Sequence, residues 1–151
     1  MIKEFINAWG TNKDALRDYI KITPQSEYDD YRKLVELLFT KVINPYLKSC
    51  GKKDLYTINE ITEVTQGGYQ GVSIFIIHKD GYDGDLNNFV YTTNYFGSCS
   101  GCDTLLGISN YDTGLPSEDQ VNDYMLLLLN LLQQCNMFLD IVEYEIVSIY
   151  D

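Results

Sequence analysis

Beyond Lys79 the chain contains no lysine and no arginine, and its single histidine is His78. Affinity for phosphate backbones rests on Lys and Arg, so direct binding of DNA or RNA is disfavoured, and an anionic membrane surface would be repelled as well. Any mechanism that needs histidine must use His78. No long hydrophobic run is present: the most apolar stretch, Met125 to Leu132, is interrupted by Asn130 and followed by Gln133 and Gln134, far short of the roughly 20 residues of a membrane span. The start, Met1-Ile2-Lys3-Glu4-Phe5, has no basic region leading into an apolar segment and no small-residue cleavage site, so a secretory signal is not expected and a cytoplasmic location is. Without such a signal, Cys50, Cys99, Cys102 and Cys135 read as reduced thiols rather than a disulfide scaffold. The P-loop, G-x-S-x-G, H-E-x-x-H and G-x-G-x-x-G patterns are missing, and the reading leans away from an enzyme.

What the chain does have is acid, unevenly placed. The 151 residues carry a net charge of −11. Residues 1–53 hold ten of the eleven basic side chains against seven acids, whereas residues 54–151 hold Lys79 against fifteen acids. A field of that kind attracts basic surfaces. Solubility alone would also explain it.

The organisation predicted is a single α+β domain over 1–151, helical over 1–50, with a sheet and a central helix over 54–151. A first helical segment stops at Gly10, Thr11 caps a second through Ile20, and Thr23-Pro24 opens a third. Tyr31, Leu34, Val35, Leu38 and Val42 form the stripe of an amphipathic helix that Asn44-Pro45 should end or kink. Leu55–Thr65, Val72–His78 and Phe89–Phe96 read as strands of an antiparallel meander within a sheet of about four or five strands. Thr104–Ser109 reads as a further strand. Ser117-Glu118-Asp119-Gln120 fits a capping box for one long C-terminal helix to about Leu139, apolar nearly all round and therefore buried. Ile141–Tyr150 reads as a last strand.

The most distinctive local feature is the turn Gly97-Ser98-Cys99-Ser100-Gly101-Cys102-Asp103. Two thiolates at C-x-x-C spacing can share one zinc. Further ligands would have to come from Cys50, Cys135, His78 or Asp103, none of which forms a second close pair. A redox pair needs a thiolate of lowered pKa, usually beside a helix start, and here no helix is expected to follow while the surroundings are acidic. A backbone cradle for a small ligand is a third reading. The plainest is a strand-ending turn that needs glycine, with cysteines acting as small apolar residues. A Cys–His pair with His78 has no support from spacing. Asp80-x-x-Asp83-x-Asp85-x-Asn87 departs from the EF-hand pattern at both its glycine and its bidentate glutamate, and reads as a polar turn.

Tyr95 to Leu105, with Gln120-Val121-Asn122-Asp123-Tyr124-Met125 after an acidic loop, resembles a group of small phage and prophage proteins that share a G-S-C-x-x-C-D turn. That resemblance spans about residues 90–135 and carries no assigned activity. It implies a context: phage accessory proteins that bind and block host proteins, inhibitors of CRISPR nucleases among them. The expectation is therefore a non-enzymatic acidic protein acting on a basic, nucleic-acid-binding host protein. Its carboxylates Asp80, Asp83, Asp85, Asp103, Asp112, Glu118, Asp119 and Asp123 would sit where phosphates normally do, with no cofactor. The alternative is a small-molecule or zinc-binding domain built around Cys99 and Cys102.

Overall fold

A computed structural model describes residues 2–81 and 84–138. Asp83 and the strand expected over Ile141–Tyr150 lie outside the described residues. Helices α1 (Lys3–Lys21), α2 (Tyr31–Leu38) and α3 (Asn44–Ser49) come first. Strands β1 (Thr62–Gly67), β2 (Gly71–His78) and β3 (Phe89–Phe96) follow, then α4 (Thr104–Ser109), α5 (Glu118–Gln133) and the short β4 (Asn136–Met137). The sheet is antiparallel in the order β1-β2-β3-β4. The fold is thus α+β, with N-terminal helices, a four-stranded antiparallel sheet and a C-terminal helix.

The helical half is more continuous than predicted. α1 runs through Gly10 without a break, and Thr11 caps nothing: its hydroxyl donates back to the Asn7 carbonyl inside the helix at 3.1 Å. A mid-helix glycine costs about 1 kcal/mol relative to alanine. Burial of Phe5 and Ala8 before it, and of Leu16 and Ile20 after it, outweighs that cost. Thr23-Pro24 opens a single 3₁₀ turn, Gln25–Tyr28, and the cap of α2 is Asp30, whose carboxylate accepts from the Lys33 N–H at 2.8 Å. Pro45 neither ends nor breaks the chain's helical course. A wide π turn at Phe39–Ile43 precedes it and absorbs the hydrogen bond that proline cannot make, so that α3 continues with Pro45 in its first turn.

The strands fall close to where alternation put them. In β2, Ser73, Phe75 and Ile77 face the core; in β3, Val90, Thr92 and Asn94 do so. Leu55–Thr65 is the exception, since only its end is strand: Tyr56 makes an isolated bridge to Lys79, and a 3₁₀ turn at Ile58–Glu60 intervenes before β1. Thr104–Ser109 is helix, not strand. α5 ends at Gln133 rather than Leu139, and it buries one broad face (Val121, Tyr124, Leu127, Leu128, Leu131, Leu132) while Leu126 is 58% exposed. It is therefore not buried all round. Its capping box is as predicted: the Ser117 hydroxyl accepts from the Gln120 N–H at 3.2 Å, and the Gln120 side chain accepts from the Ser117 N–H at 2.8 Å.

One cluster of buried side chains joins helices and sheet. Phe5, Phe39 and Tyr56 meet edge to face with centroids 5.0–5.9 Å apart, and Tyr28 meets Tyr124 in the same way at 5.0 Å. Tyr124 donates to the Gln25 side-chain oxygen at 2.6 Å, which ties α5 to the turn between α1 and α2. Among the described residues, no helix is long and apolar enough to cross a membrane.

Two tests follow from this packing. A Cβ at Gly10 would meet nothing within 4 Å, so Gly10→Ala should stabilise the protein by about 0.5–1 kcal/mol in urea denaturation. Burial also holds the Tyr31 and Tyr124 hydroxyls up at about 12, and Tyr28 and Tyr56 higher still. In the unfolded chain they ionise near 10, so the unfolded state loses protons first. Stability should be fully present below pH 10 and fall as pH rises toward 12, read as denaturation midpoints against tyrosinate absorbance.

Candidate functional site

The sequence between β3 and α5 folds around one carboxylate. An aspartate just before a short apolar segment is well placed to cap a helix, and Asp103 caps α4: its Oδ1 accepts from the Leu106 N–H at 3.0 Å. The same oxygen accepts from the Tyr31 hydroxyl of α2 at 3.0 Å, while Oδ2 accepts from the Gly97 N–H at 2.8 Å. The Tyr31 oxygen in turn accepts from the Leu105 N–H at 3.2 Å. Asp103 is 6% exposed. Its reading as a partner-facing carboxylate, or as a ligand of the loop, is therefore corrected: its lone pairs are taken up inside the protein, where they fix the turn.

Close backbone contacts complete that turn. A Cβ at Gly97 would lie 2.4 Å from the Cys102 carbonyl oxygen, and one at Gly107 would lie 2.9 Å from the Ser100 carbonyl oxygen. The turn therefore closes on itself at Gly97 and seats on α4 at Gly107, and both contacts need glycine. The N–H groups of Cys102 and Asp103 donate to the Cys99 carbonyl at 3.1 and 3.0 Å, and the Cys99 N–H donates to the Cys102 sulfur at 3.0 Å. With the Gly97 N–H also engaged, much of the turn's donor supply is used internally, which weakens the ligand-cradle reading of Gly97–Asp103. Ser98, Cys99, Gly101 and Cys102 are exposed. The two sulfurs lie 2.6 Å apart.

Other thiols and His78 are elsewhere. Cys50 is exposed beyond α3; Cys135 is fully buried after α5, where desolvation pushes its thiol up to about 12. His78 pairs in register with Phe89, whereas the cysteine turn follows Phe96, which pairs with Gly71. They are thus at opposite ends of a strand about 23 Å long. The His78 ring contacts the Glu60 carboxylate at 3.1 Å and the Lys79 carbonyl at 3.0 Å. Among the described residues no three His, Cys, Asp or Glu side chains converge to hold a metal ion.

The remaining acids divide between two places. Asp80 accepts from the Thr57 hydroxyl, and Asp85 accepts from the Asn87 backbone and side-chain N–H groups, so both help shape the loop beyond β2. Asp112, Glu118, Asp119 and Asp123 are exposed around the start of α5. Asp112 accepts from the Gly114 N–H at 2.9 Å. Glu118 and Asp119 are favoured there by the partial positive charge of the helix start. Asp123 is a turn further in, beyond that benefit, and shares a helix face with Asp119 at i,i+4 spacing, where like charges cost a few tenths of a kcal/mol.

Asp123 also borders a groove. Thr104, Gly107 and Ile108 of α4 face Asp123, Leu126, Leu127 and Asn130 of α5 across a cleft of about 280 Å³. A second hollow of about 200 Å³ shares Thr104, Leu127 and Asn130 and reaches Tyr31, Tyr95 and Asn94. Asn94 Oδ1 is buried there with no hydrogen-bond partner among the described residues. The Gln120 side chain donates to the Ile108 carbonyl at 3.0 Å and pins the helices that form the groove. Sequence reasoning missed this groove because it read α4 as a strand; Asp103 followed by Thr-Leu-Leu was the signal that could have revealed it. No protein family, characterised protein or solved structure matches the chain.

The Asp103 network can be tested directly. Asp103→Ala removes the α4 cap and leaves the Tyr31 hydroxyl and Gly97 N–H without an acceptor, at a cost of about 3 kcal/mol. Asp103→Asn keeps an acceptor oxygen and should lose less than half as much in the same denaturation experiment.

Proposed function

We propose that this is a non-enzymatic acidic binding protein, phage-derived and acting in the host cytoplasm. Its target is a basic, nucleic-acid-binding host protein such as a CRISPR or other defence nuclease. The observation that carries the reading is the exposed acid at the start of α5, above a groove with an aliphatic floor. Asp119 and Asp123 share one helix face, Leu126 is largely exposed beside them, and no lysine or arginine occurs in the chain from Asp80 onward. Asp119 and Asp123 are separated by about 6 Å along the helix axis. Carboxylates so arranged occupy a phosphate-binding channel, while Leu126 and Ile108 bury against apolar parts of basic side chains. Asp112 and Glu118 extend the acidic rim. Asp80 and Asp85 form a separate acidic loop that widens the field. Electrostatics of this kind speed association and make it sensitive to salt.

The competing reading, a zinc or small-molecule domain built around Cys99 and Cys102, has less support. The turn's own carboxylate, the nearest further ligand, is already engaged by three donors.

The test is binding and inhibition against purified defence nucleases, with the triple variant Glu118→Gln, Asp119→Asn, Asp123→Asn as comparison. Binding of the unaltered protein should weaken as salt rises, and the triple variant should bind about tenfold more weakly at low salt. Full-strength binding by the variant, salt-independent binding, or a target lacking a basic groove would overturn the reading.

A further inference from the structure

We propose that Cys99 and Cys102 form a thiol–disulfide exchange site, with Cys102 the attacking sulfur and Cys99 the resolving one. Three observations converge on the pair. Both side chains are exposed, so a dissolved disulfide can reach them. Their sulfurs face each other across the C-x-x-C turn, so a bond between them needs side-chain movement and no rearrangement of the backbone. The Cys99 N–H points at the Cys102 sulfur from 3.0 Å, and Cys102 lies on the carbonyl side of the same turn, 3.3 Å from the Cys99 oxygen.

The turn is also held rigid from behind. Asp103 fixes Gly97 and α4, and the close approaches of Gly97 to Cys102 and of Gly107 to Ser100 leave the loop no room to splay. The negative charge nearest in sequence, on Asp103, is held by the Tyr31, Gly97 and Leu106 donors and turned away from solvent. Hydrogen bonding with the Cys99 thiol, then its N–H, then Ser98, draws the Cys102 thiol below its ordinary value, and this outweighs the opposing effect of burial. Cys50, exposed and outside any such turn, serves as an internal standard.

The exchange balances as follows. The Cys102 thiolate attacks one sulfur of a small or protein disulfide; a mixed disulfide forms and one thiolate leaves. The Cys99 thiolate then attacks the Cys102 sulfur, the Cys99–Cys102 bond forms, and the second thiolate leaves. Two protein thiols lose two electrons and two protons, and the incoming disulfide is reduced to two thiols.

Oxidised glutathione is the probe. The full chain is exposed to it, quenched with acid, alkylated, and read by intact and peptide mass spectrometry. The unaltered protein should lose two hydrogens within the segment containing Cys99 and Cys102 while Cys50 acquires glutathione more slowly. Cys99→Ser, which puts a hydroxyl donor in place of the Cys99 thiol and leaves the N–H to the Cys102 sulfur, should stop at the mixed disulfide on Cys102. In that variant Cys102 should react roughly tenfold faster than Cys50. Cys102→Ser should form no internal bond and leave Cys99 no faster than Cys50. Thermal melts of both variants confirm that they fold, and Cys99→Ser alone decides the matter if Cys102→Ser does not. An unaltered protein that keeps glutathione on either cysteine, or Cys102 no faster than Cys50 in Cys99→Ser, would overturn the proposal.

Discussion

The Asp103 carboxylate ties the turn after β3 and the start of α4 to a distant part of the chain, α2. It accepts from Tyr31 on α2, from Gly97 at the end of β3 and from Leu106 in the first turn of α4. A six-residue helix has too few internal hydrogen bonds to persist alone, so α4 exists because its start is capped and its end is secured to α5 through Gln120 and Ile108. The groove beside α5 and the placement of the two cysteines are both consequences. A single buried charge is expensive unless fully paired, and here each oxygen of the carboxylate meets at least one donor.

How much of this was legible follows from which signals are local. The alternation Phe89–Phe96 placed β3 correctly because burying every second residue is a property of the strand itself. The capping box at Ser117–Gln120 was legible for the same reason: both of its hydrogen bonds lie within four residues. Gly10 misled because propensity is weak beside burial. The core that carries α1 across Gly10 is supplied by Phe39 and Tyr56, which no local window contains. Pro45 misled similarly, since a π turn rather than a break accommodates the missing N–H.

Asp103 is the instructive failure. Read by charge it joined an acidic surface; read by position, one residue before Thr-Leu-Leu, it is a helix cap. The partner that reaches it from another element, Tyr31 of α2, is 72 residues away and could not be seen. Once it is removed from the surface set, the acidic residues are no longer one continuous field. They are a loop beyond β2, with Asp80 and Asp85, and a rim on α5, with Glu118, Asp119 and Asp123, joined by Asp112 nearby in sequence. The proposed function rests on the rim rather than the loop, because Asp123 stands beside an apolar groove and gains nothing from the helix start.

The imbalance of charge along the chain would mean little if folding brought the N-terminal cations over the acidic half. Among the described residues the contacts run otherwise. Arg32 pairs with Glu36 at 3.4 Å and Lys33 with Asp29 at 2.7 Å, both within the α2 region. Lys41 lies over the Tyr19 ring at 4.4 Å, and Lys79 over Tyr56 at 5.5 Å. Arg17 does reach α5, yet it donates to the Asn122 amide oxygen and not to a carboxylate. The ion pairs of Arg32 and Lys33 thus stay within the α2 region, and Arg17 meets α5 through an amide rather than a carboxylate. Exposed pairs of this kind add little stability, so their arrangement matters chiefly for the long-range potential that a basic surface would meet first.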